Sequence, residues 1–352
     1  MLTLAGLPVS LWIAGALAFF YAAIIVKSRI NYLSLPEIEI QPRPQQSPDC
    51  MVIIPARNEE ENIVRAVKSL PHDTVIVVDD ASTDRTAELA REAGAGVLPA
   101  PKLGKGQIGK SNACAEGARV LTSKWILFAD ADTWYEQGFL DAAVAHADAN
   151  KLDFLSIYLR PVHETLGERV LSPFAEALYF FAMNPSRSDL AGFNGQCILV
   201  RREPYEFVGG HGTVIRDLFE GMKLAGLAQR HRMKFSIARA HYLGRVRISP
   251  SMIKRNAYRF TTARQAMGAL LLFAALLFAL WLPALVWLLL DQLVVASAVF
   301  TLWPMFLLGG WYQGYARAVF APLGIYGTLP SLFNAFLCAL TGRPLEWKGR
   351  TI

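Results

Sequence analysis

An apolar run, Trp125-Ile126-Leu127-Phe128-Ala129, ends abruptly in Asp130-Ala131-Asp132-Thr133. A run of that length, apolar on both faces, reads as a buried strand. Strand geometry sends alternate side chains to the same side, so Asp130 and Asp132 are expected to project together while Ala131 points away. Two carboxylates side by side repel one another and need a cation. Hard divalent ions such as Mg2+ and Mn2+ favour carboxylate and phosphate oxygens together, which fits that need. The other reading is a strand that exits into a polar turn, where Asp is common.

Two further strand ends carry polar groups. Residues 51–55 read as a strand that runs into Ala56-Arg57-Asn58-Glu59, with a helix over 59–70 behind it. Residues 74–78 read as a second strand ending in Asp79-Asp80, and Ser82-Thr83-Asp84 caps a helix reaching about residue 93. A Gly- and Pro-rich loop over 99–109 precedes Lys110 and a helix over about 111–121. Strand and helix alternate in this way from residue 50 to about 244. That is the pattern of an α/β fold with a mostly parallel sheet and helices on both faces. In open α/β sheets ligands bind beyond the carboxyl ends of the strands, so the three polar ends are expected to share one crevice.

The whole chain has 352 residues, 53% of them hydrophobic, and a net charge of +6. The apolar excess is concentrated rather than spread, as in a membrane protein with a water-soluble domain. Residues 7–26 are almost wholly apolar and long enough to cross a bilayer core of about 30 Å. No basic stretch precedes them and no small-x-small cleavage site follows, so an uncleaved anchor is preferred to a signal peptide. Lys27 and Arg29 come next and put the following domain on the cytoplasmic side of the cell (inner) membrane. Residues 267–290 and 293–311 read as a second and third span, a hairpin joined by Asp291-Gln292, which makes the protein multi-pass. The segment 318–340 is broken by Pro322, Gly324, Gly327, Pro330 and Asn334 and reads as re-entrant or interfacial. Basic residues gathered between 230 and 264 suit anionic headgroups or substrates rather than nucleic acid. Cys50, Cys114, Cys197 and Cys338 lie too far apart for a zinc motif or a disulfide framework. The expected division is a transmembrane anchor over 1–30, a linker over 31–49, a cytoplasmic catalytic domain over 50–264, membrane segments over 265–340 and a basic tail over 341–352.

Taken in order, Ile54-Pro55-Ala56-Arg57-Asn58-Glu59-Glu60, Val77-Val78-Asp79-Asp80-Ala81-Ser82-Thr83-Asp84, Gly109-Lys110-Ser111-Asn112-Ala113 and Asp130-Ala131-Asp132 resemble the family 2 glycosyltransferases over about residues 52–258. The resemblance implies a GT-A fold (a Rossmann-like nucleotide-diphospho-sugar transferase), a nucleotide-sugar donor, a divalent metal, and inversion at the anomeric carbon. It assigns Asp79 and the loop of Pro55, Ala56, Arg57 and Glu59 to the uridine end of a UDP-sugar, with Asp80 beside them. Lys110, opening a helix, is expected to bring a point charge to the diphosphate. Asp132 is the metal ligand of choice and Asp130 serves the ribose or the metal. The cofactor is then Mg2+ or Mn2+, acting as a Lewis acid on the departing diphosphate.

Inverting transfer needs a general base near the acceptor hydroxyl. The family supplies it as the Asp of a Glu-Asp pair beyond a Gly-Gly-His segment. Here Gly209-Gly210-His211 is present, but the pair reads Glu220-Gly221. Glu220, Asp217 one helical turn earlier, and His211 are the candidate bases. The Gln-x-x-Arg-Trp motif of polymer-making relatives is absent, which disfavours processive synthesis. Asn194-Gly195-Gln196, Gly209-Gly210-His211 and Val246-Arg247-Ile248-Ser249-Pro250 are similar to the membrane glycosyltransferases linked to carotenoid and hopanoid lipids. Residues 163–183 carry Leu166, Val170, Phe174, Leu178 and Phe181 at helical spacing, which suits a membrane-surface helix or a core helix. The expectation is non-processive transfer from a UDP-sugar to a membrane lipid hydroxyl. A polyprenyl-phosphate acceptor and a catalytically silent, donor-binding scaffold are the alternatives.

Overall fold

The structure is a computed structural model. It describes residues 2–40, 48–165, 193–217, 219–247 and 279–309 without a break. It also describes residues 168, 176–177, 179–181, 276, 326, 329–330, 333–334, 337–338, 341, 343, 346–347 and 350–351. Eight strands form one sheet: β1 (Cys50–Ala56), β2 (Val75–Asp79), β3 (Gly96–Pro99), β4 (Trp125–Ala129), β5 (Thr133–Tyr135), β6 (Phe154–Val162), β7 (Cys197–Arg201) and β8 (Phe235–Arg247). Their spatial order is β3-β2-β1-β4-β7-β6-β8-β5. The first four strands in that order run parallel. Beyond β4 the sheet is mixed: β7 is antiparallel to both β4 and β6, β8 is parallel to β6, and β5 closes the edge antiparallel to β8.

The strands read as unbroken apolar runs because both sheet faces are covered. Val52 and Ile54 of β1 pack with Ala66 and Val67 of α2 (Ile63–Lys68) and Ala90 of α3 (Thr86–Glu92). Ile53 points the other way, against Ala113 and Cys114 of α4 (Gly109–Arg119). Side chains this deeply buried each contribute about 1.5–3 kcal/mol, so alternation along β1 fixes both layers at once. A further helix, α5 (Phe139–Ala149), lies on the first face through Phe139, Ala143 and Ala147. The helix after β1 is shorter than its apolar pattern suggests, because residues 57–62 are held by the loop after β2 and enter the helix only at Ile63.

One expected boundary differs. The stretch 31–49 reads as a linker, yet its first half joins the domain. Arg239 N–H donates to Pro36 O at 2.7 Å and Ile38 N–H donates to Arg239 O at 2.7 Å. Ile38 is buried in the sheet core. The reason is the short edge strand: β5 pairs only with residues 244–246 of β8, and the incoming chain takes up the edge at Arg239.

Among the described residues one helix, α1 (Val9–Leu33), has the length and composition to cross a bilayer. Three shorter helices, α6 (Arg202–Phe207), α7 (Gly210–Thr213) and α8 (Glu220–Arg230), follow β7. Towards the C-terminus come α9 (Trp281–Leu290) and α10 (Val294–Gly309), separated by the Asp291-Gln292 turn. Their described lengths, 10 and 16 residues, fall short of the ~20 that a span requires. The multi-pass expectation therefore has one such helix behind it. Residues 267–275, 248–250 and most of 318–340 lie outside the described residues. Ala14, Leu17, Tyr21 and Ile24 of α1 pack on Trp281, Ala284 and Leu288 of α9 and Phe300 of α10. Ser10 of α1 donates to the Asp291 carboxylate at the α9–α10 turn. Of the proposed 163–183 helix, Leu166, Val170, Phe174 and Leu178 are outside the described residues. Phe180 packs with Leu35 and Tyr158, and Lys27 of α1 lies over the Phe181 ring at 4.4 Å.

Candidate functional site

The ends of β1 and β2 are knitted into one wall. Asn58 and Ala81, with φ of 51° and 54°, both adopt the left-handed conformation. For an alanine that conformation is strained by about 1–2 kcal/mol, so its surroundings must enforce it. They do so by exchanging hydrogen bonds between the two loops. Asn58 N–H donates to Ser82 Oγ at 3.0 Å, Thr83 N–H to Asn58 Oδ1 at 2.9 Å, and Glu59 N–H to Thr86 Oγ1 at 2.8 Å. Arg57 Nη1 donates to the carbonyls of Asp80 and Ala81 at 2.7 and 3.0 Å. Ser82 N–H donates to the Asp79 carboxylate at 3.3 Å. The structure thus brings Pro55, Ala56 and Asp79, at the strand ends, together with Arg57, Glu59 and Asp80 just beyond them. Asp80 is buried, while Pro55, Arg57, Glu59 and Asp79 are half-buried.

The Asp-Ala-Asp segment differs from its expected geometry. β4 stops at Ala129, and residues 130–133 form a turn in which Thr133 N–H and Oγ1 both donate to Asp130 O, at 3.2 and 2.7 Å. Strand alternation therefore does not carry through Asp132, and the inference that Asp130 and Asp132 project together from one strand face is replaced. Each aspartate is set by its own partners. Asp130 N–H donates to Gln196 O at 2.9 Å, and Arg247 N–H donates to Asp132 O at 3.0 Å.

Lys110, second residue of α4, is the hub of the site. Its Nζ lies 2.7 Å from Asp130 Oδ1, 2.9 Å from Glu220 Oε1 and 2.7 Å from Gly195 O. An ammonium has three N–H donors, and these acceptors account for all three. The diphosphate role expected for Lys110 thus meets a lysine already engaged by the protein. Burial alone would lower its pKa, but Asp130 and then Glu220 outweigh it and hold the ammonium above the ordinary lysine range.

Glu220 opens α8 and its side chain is 4% exposed. It fits because residue 195 is glycine: a Cβ there would stand 2.7 Å from Glu220 Oε1. Gly221 is constrained from the opposite side, where a Cβ would meet Phe193 O at 2.5 Å. No side chain, aspartate included, fits at 221 without moving backbone. Asp217 is not one turn earlier on the same helix, since α8 begins only at Glu220. Its carboxylate instead faces Lys223 Nζ at 3.5 Å.

His211 is fully enclosed. Its Nδ1 shares a 2.9 Å hydrogen bond with Tyr205 Oη, its N–H donates to the same oxygen at 3.0 Å, and its ring packs on Phe128 at 4.4 Å. Gly209 and Gly210, with φ of 76° and 48°, make the turn that brings it in, and a Cβ on Gly210 would overlap the Tyr205 ring. Burial pushes the His211 imidazole down to about 3, with Lys110 adding to the effect and Glu220 opposing it. At neutral pH it is an uncharged ring. Sequence reasoning missed three parts of the site: Gly195 O, Tyr205 and the Arg247 backbone. The Asn194-Gly195-Gln196 and Val246–Pro250 segments offered a signal for the first and the last; none pointed to Tyr205.

Comparison with known proteins follows the same lines. Residues 51–209 match the profile of the family described as Glycosyl transferase family 2. The 4,4'-diaponeurosporenoate glycosyltransferase of Staphylococcus haemolyticus (strain JCSC1435) is 31% identical over 197 residues, covering 51% of this chain and 51% of that protein. The protein of the same name in Staphylococcus aureus (strain bovine RF122 / ET3-1) is 32% identical over 190 residues, covering 49% of each. The chain thus spans about half the length of the curated relatives it matches. A mannosyltransferase from Pyrobaculum calidifontis, solved in complex with GDP-Man and Mn2+, aligns with a TM-score of 0.55 at 17% identity, covering 95% of this chain and 100% of that one. That likeness speaks for the fold. Residues 51–209 thus form a family 2 glycosyltransferase domain, built on the GT-A fold.

Proposed function

We propose that the protein transfers a sugar, with inversion and without processive chain growth, from a UDP-sugar to a lipid acceptor at the membrane surface. The observation that carries this reading is the convergence of the β1, β2 and β4 ends with the Lys110–Asp130–Glu220 cluster beyond the carboxyl edge of the sheet. The Pro55–Glu59 loop, Asp79 and Asp80 would receive the nucleoside. Asp130 would face the ribose or the metal. Lipid as acceptor is supported by α1, whose exposed Phe19, Val26 and Ile30 suit a bilayer, and by relatives named for a carotenoid acid. Lys27 and Arg29 at the end of α1 favour a cytoplasmic catalytic domain at the inner membrane.

A divalent ion belongs to this reading, and the donor set fits one mode of holding it. Among the described residues no three His, Cys, Asp or Glu side chains group to hold a metal by themselves. Asp130 already carries a salt bridge, and Asp132 adds a second carboxylate to an all-oxygen set. Mg2+ and Mn2+ are commonly held by one or two carboxylates and completed by substrate phosphates and water. Asp132, with Asp130, would hold such an ion once the donor is present, and the ion would supply charge stabilisation to the leaving diphosphate. For a hydroxyl acceptor, Glu220 would take the acceptor proton as the new C–O bond forms opposite the departing diphosphate.

A second reading has its own observation. Gly221 cannot carry a base and Glu220 is ion-paired, which suits an acceptor whose oxygen is already ionised, a polyprenyl phosphate or a carboxylate. The deciding experiment incubates the full chain in nanodiscs with UDP-sugars, Mn2+ and a lipid extract, then analyses labelled lipids. A product stable to mild acid and to mild base is a glycoside of a hydroxyl. Acid lability marks a glycosyl phosphate, and base lability marks a glycosyl ester. UDP binding without transfer or hydrolysis across the whole panel would refute the enzymatic reading and leave a donor-binding scaffold.

A further inference from the structure

We infer that Lys110 is a positioning residue, whose ammonium pins Glu220 on the acceptor side to Asp130 on the donor side and acts on transfer through Glu220 rather than by binding the donor diphosphate. The inference rests on the transfer reading above for what Glu220 does. Its geometric basis is independent of that reading.

Four segments meet at one nitrogen. Lys110 belongs to α4, Asp130 to the turn after β4, Gly195 to the loop before β7, and Glu220 to the start of α8. Each segment is held from elsewhere too. Ile108 N–H, just ahead of Lys110, donates to Ile215 O at 2.8 Å, and the turn after β4 is tied to the 195–196 loop through Asp130 N–H and Gln196 O. The Lys110 ammonium therefore closes a frame already fixed on both sides. Recruiting it to a diphosphate would break one of three short contacts. The most buried partner is Glu220, whose side chain is 4% exposed against 17% for Asp130. Removing the cation from a carboxylate so enclosed strips a buried charge of a short, charge-assisted contact, which is the costlier state. The other groups that sense this cluster are Cys114 of α4 and Cys197 of β7, both thiols raised by burial, Tyr135 of β5, whose hydroxyl burial also raises, and His211 of α7, uncharged at neutral pH. Lys110 is thus the cation that orients Glu220.

The test uses the full chain in nanodiscs as Lys110→Met, Lys110→Arg, Glu220→Gln and the Lys110→Met/Glu220→Gln double variant. UDP affinity, with GDP in parallel, is measured by calorimetry. Turnover and donor KM are measured with the lipid fraction that supports transfer. A positioning role predicts that Lys110→Met lowers kcat about 100-fold, within the usual range for a disabled general base, and changes UDP affinity less than threefold. In the Glu220→Gln background the same change costs less than a further threefold, because the residue it acts through is already disabled. Lys110→Arg, which keeps the charge, recovers at least a tenth of wild-type kcat. A tenfold or larger loss of UDP affinity from Lys110→Met in both backgrounds, with kcat at saturating donor preserved, overturns the inference and makes Lys110 a diphosphate ligand. If the wild type neither binds nucleotide nor transfers, the proposed function fails by itself. The thermal midpoints of the four proteins then decide: a double variant that loses less than the two single losses added supports the Lys110–Glu220 pin, and additive losses overturn it.

Discussion

Gly221 stands where the family pattern has an aspartate, and Gly221→Ala probes why. The added Cβ would lie 2.5 Å from Phe193 O, 3.2 Å from Gly195 N and 3.3 Å from Phe193 C. Ordinary contact begins near 3.4 Å, so the nearest atom must retreat by roughly 0.9 Å. That atom is a backbone carbonyl beside β7 and has no rotamer to change. Overpacking costs about 1–3 kcal/mol, and so short a contact with fixed backbone falls in the upper part of that range, about 2–3 kcal/mol. Replacing a helical glycine by alanine returns about 1 kcal/mol, leaving a net loss of about 1–2 kcal/mol. For a domain of this size that lowers the unfolding midpoint by about 3–6 °C. Turnover falls as well, because pushing residues 193–195 away withdraws Gly195 O from Lys110 and disturbs the seat of Glu220. Gly221→Asp should be worse, since it brings a carboxylate against the same carbonyl. Scanning fluorimetry of the detergent-solubilised chain, with turnover on the same samples, reads both effects. A Gly221→Asp protein with a wild-type midpoint and faster turnover would refute this reasoning and place the base at 221.

Four further outcomes rest on the same geometry. Glu220→Gln keeps the shape of the side chain and loses its proton acceptor, so on a hydroxyl acceptor kcat falls about 10²–10⁴-fold with UDP affinity nearly unchanged. Asp217→Asn, beside Lys223 and ahead of α8, leaves kcat within a few-fold; the reverse pattern would move the base to Asp217. Asp132→Ala removes the Mn2+-dependent part of UDP binding while the thermal midpoint without nucleotide stays near wild type; calorimetry with and without Mn2+ checks this, and equal metal dependence in both proteins would count against Asp132. His211, pushed down to about 3 by burial, refuses a proton that the unfolded chain accepts at about 6.5, so stability falls as pH drops through that interval. By pH 5 the loss is about 2 kcal/mol, and His211→Gln should flatten that part of the urea-unfolding profile between pH 7 and pH 5. An unchanged slope would mean that His211 titrates freely in the folded protein.

Much of the scaffold was legible because its signals are local. Unbroken apolar runs such as 52–54 and 125–129 can be satisfied only between two covered faces, and the polar groups at their ends mark where a parallel sheet opens to ligand. Asp79, Asp80, Lys110 and Asp130 could be named as candidates for the same reason, since charges adjoining buried elements need a purpose; Glu220 was named from its place in the family pattern. What those charges do to one another was settled only by tertiary structure. Lys110, Asp130, Gly195 and Glu220 are brought to one point by four separate segments, and no spacing along the chain encodes that meeting. Strand alternation was the wrong rule for Asp132, because the chain turns at Asp130 to satisfy backbone groups that β4 can no longer pair. Helical spacing was the wrong rule for Asp217, because α8 starts three residues later. The glycine at 221 reads in sequence as a missing base. In space it is a close approach of α8 to the carbonyl of Phe193, a contact between residues 28 positions apart that only the fold brings together.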